Sequence, residues 1–450
     1  MKNFISTYKS YFKKIAILAY PIVIGQIGIV AMGVADVVMI GQIDATNLAA
    51  AGLANSVFFL VAILGIGSLM AVSSLVAQSK GAEKNNDCAI YFRQGIVAAL
   101  LLSVVISFVL YFVANNMEVF KQHPTVTVLS SGFLHLLNMG TLPLLIFSAS
   151  KQFSDGLSFT RPSAIITVAA LLLNIFLNWL LIYGNLGFPK MGLNGAGVAT
   201  LIARIFMATA MVFYILVHKR YKKFIRISRK ESSYDFLKHI FRVGLPSGFQ
   251  YFFELAAFSF AGIMIGWIGK NEQAAHHIAL NVASVTYMIA TGISAAGSIL
   301  VGDALGRKNK TDIIRSGKAS LLGGAVFMLF CAAILFSFRA ALIHFYIHDS
   351  GVEVMAGYLL IVAALFQLSD GIQCVALGVL RGLEDTKIPT IVTVISYWVI
   401  GIPAGYYLAF YTRMNLYGVW AGLLAGLTFS AFMLAFRFLK ESKQIEFSIK

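Results

Sequence analysis

Three carboxylates stand where an apolar chain has little reason to keep them. Asp36 lies in VAMGVADVVMIG, Glu254 in QYFFELAAFSFAGIMIG and Asp370 in LFQLSDGIQCVALG, each inside an almost unbroken apolar run. The other sixteen of the 19 acidic residues fall in polar breaks or at the ends of such runs. A carboxylate at bilayer depth costs about 2.5–3.5 kcal/mol even on a lenient insertion scale, so it needs a compensating role: binding a cation, carrying a proton or accepting a buried hydrogen bond. The polar neighbours suit such chemistry. Gln250 precedes Glu254 by one helical turn, Gln367 and Gln373 lie three residues either side of Asp370, and Asn281, Ser284 and Tyr287 stand in a nearby run. Asn174 and Asn178 form another pair on one helix face. Taken singly, each amide suits an interhelical hydrogen bond equally well.

The elements that must position these groups are membrane helices. The 450 residues are 59% hydrophobic and 12% charged, with a mean hydropathy of +0.82. Such a chain cannot hide its apolar surface in an ordinary soluble globule. The runs reach the 18 or more residues that a hydrocarbon core of about 30 Å requires of a helix. Twelve spans are expected, near 15–41, 48–77, 90–114, 126–149, 162–184, 193–217, 240–268, 273–303, 317–341, 354–380, 388–410 and 416–437. The net charge of +16 interleaves with these runs instead of forming a basic domain, so it reads as a topology signal and not as a nucleic-acid surface. Of the 35 lysines and arginines, 29 lie at the termini, in the connections after even-numbered spans or at the span ends that border them, which places both termini in the cytoplasm. The N-terminal segment MKNFISTYKSYFKK is basic and leads into a full-length span without a small-residue cleavage site, so no removed signal peptide is expected. Cys88, Cys331 and Cys374 are scattered, with no metal or redox spacing.

The densest polar break, HKRYKKFIRISRKESSYDFLK at 218–238, reads as a basic cytoplasmic linker between a six-helix lobe at 1–217 and another at 239–450. The two lobes repeat one another. Placing residue n beside n+225 sets Pro21 on Pro246, Met39-Ile40-Gly41 on Met264-Ile265-Gly266, Gly67 on Gly292, Ser73 on Ser298 and Gly81 on Gly306. Further on, DGLSFTRP at 155–162 faces RGLEDTKIP at 381–389, and GLNGAGVAT at 192–200 faces NLYGVWAGL at 415–423. An even number of spans per copy makes the repeats parallel, a pattern that favours a secondary transporter.

The repeat also tests the acids. Asp36 faces Ala261, Glu254 faces Ile29, and Asp370 faces the neighbourhood of Pro143, so none belongs to the shared scaffold. Glu254 lies twelve residues beyond Arg242 and Asp370 eleven before Arg381, which sets both about 17 Å from the inner boundary at 1.5 Å per residue. Asp36 lies about 10 Å further outward. Arg204 is too deep to snorkel and calls for a partner, Asp36 being nearest in depth. His276 and His277 lack a third ligand at metal spacing and read as interfacial.

The residues PIVIGQIGIVAMGVADVVMIG (21–41), LNIFLNWLLIYG (173–184), GLNGAGVATLIAR (192–204), GLPSGFQYFFELAAF (244–258) and LFQLSDGIQCVALGVLRGLEDTKIPT (365–390) together resemble the multidrug and toxic compound extrusion transporters, in their NorM-like branch. The resemblance implies an all-α, twelve-helix protein of the inner cell membrane that exports amphipathic, often cationic small molecules in exchange for sodium ions or protons. It needs no cofactor and works as a monomer. It also implies cation sites at Asp36, Glu254 and Asp370, with sodium or protons shared by the last two. Where another branch carries an Asn and an Asp in the fifth span, this chain has Asn174 and Asn178, so a first-lobe site would rest on Asp36 with amide ligands only.

In this reading, cation binding at Glu254 and Asp370 neutralises the charge that holds a cationic substrate, which then leaves outward. Pro21 and Pro246 act as hinges in spans 1 and 7. Phe252, Phe253, Phe258 and Phe366, with Asp36, line the substrate cavity and offer shape-tolerant and cation-π contacts. The alternatives are a lipid-linked saccharide flippase, which needs a more cationic cavity than Arg204 alone provides, and an intramembrane enzyme, for which no nucleophile and base pair is evident. The charge tally makes a direct prediction. A C-terminal fluorescent-protein fusion is expected to fluoresce and a C-terminal alkaline phosphatase fusion to be inactive; the reverse pattern would overturn the assigned orientation.

Overall fold

The computed structural model describes residues 2–226, 234–344, 346 and 349–447. Its helices are α1 (Lys2–Gly41), α2 (Ala45–Leu69), α3 (Ala71–Gly81), α4 (Asn85–Ala114), α5 (Pro124–Met139), α6 (Thr141–Gly156), α7 (Arg161–Tyr183), α8 (Leu193–Val217), α9 (Lys222–Ile225), α10 (Tyr234–Ile268), α11 (Lys270–Gly306), α12 (Lys310–His344), α13 (Ser350–Gly382), α14 (Lys387–Val394), α15 (Ile402–Phe410) and α16 (Asn415–Gln444). Among the described residues there is no strand. Eleven helical segments are long and apolar enough to cross a membrane, and the pair α5 and α6, bent by 41° at Gly140, supplies a twelfth. The chain is therefore a multi-pass membrane protein. Its outward faces fit that solvent: Val104, Phe108 and Phe112 on α4, and Phe432 and Phe436 on α16, are largely exposed.

The chain forms two compact units, Ile24–Phe249 and Met1–Val23 together with Gln250–Lys450. Each unit differs from a six-helix half by an exchange of helix starts: α1 and α10 are both divided, two or three residues beyond Pro21 and Pro246 respectively. The start of α1 is fastened within its unit by the Tyr11 hydroxyl, which donates to Asp312 at 2.6 Å. Phe58, Phe133, Phe147 and Phe153 form the aromatic centre of the first core, and Phe366, Tyr397 and Trp420 that of the other. Cys88, Cys331 and Cys374 are all buried free thiols.

Internal repetition is visible in the closest helix approaches. A Cβ on Gly156 would stand 2.6 Å from the Ser73 carbonyl and 2.9 Å from Val76, and one on Gly382 would stand 2.7 Å from the Ser298 carbonyl and 3.0 Å from Val301. Ser73 and Ser298, like Val76 and Val301, are 225 positions apart. The turn after α3 and that after α11 also agree, with left-handed Glu83 and Lys308 at φ 59° and 56°. Small residues at these crossings let backbones approach where lipid supplies no hydrophobic drive between helices.

Residues 227–233 of the expected linker lie outside the described residues. Its beginning is docked: Tyr221 and Phe224 are buried, Tyr221 shares a 2.6 Å hydrogen bond with Ser154, and burial pushes its phenol up to about 12. The helix crossings predict that Gly156→Ala and Gly382→Ala each lose about 1–3 kcal/mol through overpacking. Thermal unfolding in detergent should show both, whereas Gly52→Ala, with nothing within 4 Å of the added methyl, should melt like the native chain.

Candidate functional site

Within the unit spanning Ile24–Phe249, Asp36 is buried and fully engaged. The Asn178 side-chain amide donates to one carboxylate oxygen at 2.6 Å, and the Thr200 hydroxyl donates to the other at 2.8 Å. Asn178 also donates to Asn174 at 3.3 Å, and Asn174 in turn to Thr200 at 3.4 Å. Helices α1, α7 and α8 thus converge on one charge-assisted network. Asn174 and Asn178 meet Asp36 as their spacing suggested, while Thr200 completes a site that the acid-first reading missed. A signal for it was present: Thr200 faces Leu423 in the other copy, the same polar-against-apolar contrast that singled out the acids.

Arg204, one turn beyond Thr200, does not pair with Asp36 as its depth suggested. Its Nη1 donates to the Leu137 carbonyl at 3.0 Å, and its guanidinium lies 4.4 Å over the Phe58 ring. The reason is the broken span. At the α5–α6 bend the Leu137 carbonyl accepts the Gly140 N–H at 3.1 Å and has room for a second donor, and Gly140 leaves space for the guanidinium, since a Cβ there would stand 2.8 Å from Nη1.

The second unit holds a differently furnished acid. Glu254, on α10, is buried, and its Oε1 lies 3.5 Å from both Gln373 Nε2 on α13 and the Tyr397 hydroxyl. These are long contacts, and Oε2 has no hydrogen-bond partner among the described residues. Asp370, one turn from Gln373, is likewise buried and shares the electrostatic surroundings of Glu254. Gln373 and Tyr397 also bond one another, Nε2 to hydroxyl at 3.1 Å. Tyr397 belongs to a π-helical stretch, Ile395–Gly401, between α14 and α15. Sequence reading missed it. In the register that sets Pro162 on Pro389, Tyr397 faces Ala170, so the same contrast test identifies it.

The other expected members divide. Gln250 is buried beside Glu254, with no acceptor among the described residues at hydrogen-bond distance from its Nε2. Gln367 accepts from Thr286 at 2.8 Å and so serves the α11–α13 packing. Asn281 is exposed, and Tyr287 packs beside Ala290, Met328 and Cys374. Phe258 meets Phe366 and Tyr397 at ring distances of 6.0 and 5.8 Å, while Phe253 meets Phe252 edge to face and offers its carbonyl to Trp398 at 3.1 Å. His276 is buried, its Nδ1 accepting from Trp420 at 3.1 Å, while His277 is exposed. Among the described residues no group of three or more His, Cys, Asp or Glu side chains gathers at metal-binding range.

The Asp36 network predicts that Thr200→Val leaves a buried carboxylate short of a donor and lowers stability by about 1–3 kcal/mol. Thr200→Ser, which keeps the hydroxyl, should recover most of the loss in a thermal melt; equal stability of the native and valine forms would contradict the assignment.

The MatE family pattern matches residues 21–180 and 246–407, the two repeat halves. The chain is 34% identical over 436 residues to the multidrug resistance protein NorM of Photobacterium profundum, covering 96% of this chain and 95% of that one. It is also 34% identical over 447 residues to the NorM protein of Vibrio cholerae, covering 97% of each. In fold it is similar to the crystal structure of a eukaryotic MATE transporter, with TM-score 0.89, 21% identity and coverage of 97% of this chain and 98% of that one. A multidrug resistance MATE transporter in an outward-facing conformation gives TM-score 0.87 at 20% identity, with 97% of each covered. Matched along both halves and nearly its full length, the chain belongs to the MatE family of membrane transporters.

Proposed function

We propose that this protein is a secondary antiporter that exports amphipathic, often cationic small molecules in exchange for sodium ions or protons taken up at Glu254 and Asp370. The observation that carries the reading is the contrast between acids. Asp36 is bonded at both oxygens, whereas Glu254 has two 3.5 Å contacts on one oxygen and none on the other. An under-bonded buried carboxylate is unstable as a bare anion, and a proton or a dehydrated sodium ion supplies the missing interaction. Glu254 and Asp370, buried in shared electrostatic surroundings, cannot both stay charged cheaply, so cation uptake and loss of a cationic substrate become alternatives at one place. The relatives named as multidrug resistance proteins support the substrate class.

The residues take these roles. Glu254 and Asp370 exchange the coupling cation, and Gln373, with Gln250 one turn from Glu254, supplies neutral dipoles near it. Asp36, with Asn174, Asn178 and Thr200, is a polar fastening of α1 to α7 and α8 as well as a candidate substrate contact. Phe253, Phe258 and Phe366 offer aromatic faces to a cation once exposed. Pro21 and Pro246 serve as hinges of the two divided helices. The protein works as a single chain in the inner cell membrane with both termini cytoplasmic. The flippase alternative is disfavoured because Arg204, the deep cation that the sequence offers it, is already engaged by a carbonyl and a ring.

The test is drug export from proteoliposomes under imposed sodium or proton gradients. Glu254→Gln and Asp370→Asn should each abolish gradient-driven export while leaving drug-independent folding intact by melting temperature. Unchanged export by both variants would overturn the coupling role.

A further inference from the structure

Span eleven contains the one π-helical stretch among the described residues, Ile395–Gly401. Its local cause is legible. Pro403 has no N–H to offer the preceding turn, and the Ile402 N–H bonds to the Tyr397 carbonyl five residues back. Glycines on α16 seat against the widened turn: a Cβ on Gly426 would stand 2.4 Å from the Ser396 carbonyl, and one on Gly422 2.5 Å from the Gly401 carbonyl. A widened turn is a poor way to build a span unless its side-chain directions are used, and such turns concentrate at working sites.

Here the directions are used twice. Consecutive side chains reach consecutive residues of α10: Tyr397 approaches the Glu254 carboxylate, and Trp398 Nε1 donates to the Phe253 carbonyl at 3.1 Å. The Tyr397 hydroxyl has a second acceptor, Gln373 Oε1, at 3.3 Å. One hydroxyl proton serves one acceptor well, so Tyr397 must choose between Glu254 and Gln373. The other ionisable groups around Glu254 are Tyr251 on its own helix, Tyr287 on α11, and Asp370 and Cys374 on α13.

We infer that Tyr397 is a positioning residue through which the π-turn of span eleven responds to occupancy of Glu254. When Glu254 is vacant and charged, the Tyr397 hydroxyl donates to it. When a proton or sodium ion occupies the carboxylate, the hydroxyl turns to Gln373, and the widened turn, with Trp398, re-seats on α10. A local change of charge is thereby passed to the backbone of a neighbouring span. The inference rests on the reading that Glu254 takes the coupling cation.

The sign of the effect distinguishes it from a merely structural role. Tyr397→Phe removes a donor that favours the vacant carboxylate, so the half-saturating concentration of the coupling cation should fall about 3- to 10-fold, the worth of one net hydrogen bond. The maximal export rate should fall as well, because the cation leaves less readily. Structural damage would instead lower the rate with an unchanged or raised half-saturation. The direct readout is fluorine NMR of the full chain in nanodiscs with its four tryptophans replaced by 5-fluorotryptophan, the Trp398 line being assigned by its loss in Trp398→Phe. Sodium chloride addition at constant ionic strength, or acidification, should shift the Trp398 line in the native chain and leave it still in Glu254→Gln and Tyr397→Phe. A line that stays fixed while export responds to the same gradients overturns the inference, as does an equal shift in Tyr397→Phe. Gradient-driven export that survives in Glu254→Gln overturns the coupling reading itself.

Discussion

A carboxylate surrounded by apolar helices must be bonded by donors or neutralised by a cation, because neither water nor lipid will stabilise it there. The two compact units answer this constraint differently. Around Asp36, helices α7 and α8 contribute an amide, a hydroxyl and a further amide behind them, so that both oxygens are bonded. Around Glu254 the donors stand at 3.5 Å and one oxygen is left bare. The first arrangement holds helices together. The second, in the proposed reading, leaves free energy to be gained from a small cation, and a transport cycle can use that gain.

The same contrast accounts for where symmetry holds and where it fails. Scaffold positions recur: Gly156 and Gly382 press on serine carbonyls 225 residues apart, and left-handed residues end the corresponding turns. Polar chemistry does not recur, since Thr200 is matched by Leu423 and Tyr397 by Ala170. In the proposed reading, a duplicated frame with unequal contents lets one unit be fastened while the other exchanges its ligand. The divided helices α1 and α10 each carry a proline near the division, the residues proposed as hinges.

The spans were legible because lipid imposes a simple rule of length and apolarity, and the acids because a charge breaks that rule visibly. The companions were less so. Thr200 and Tyr397 are ordinary residues of membrane helices by composition, and only the comparison between copies marks them. Gln367 lies one turn from Asp370, yet its oxygen accepts from Thr286, since helical spacing fixes a face and not a partner. Depth alone matches Arg204 to Asp36, but the Leu137 carbonyl at the Gly140 bend, which accepts the Gly140 N–H as well, is a partner that hydropathy does not reveal. The π-turn is similarly hidden, because its cause is a missing N–H at Pro403 combined with close glycine packing from another helix.

Infrared difference spectroscopy of the reconstituted protein, recorded as sodium or acid is added, tests the distinction between the acids most directly. The carboxyl stretching bands report which side chains change state. The account predicts difference bands that disappear in Glu254→Gln combined with Asp370→Asn and persist in Asp36→Asn. Bands that persist in the double variant and vanish in Asp36→Asn would place the exchangeable site in the other unit and contradict it.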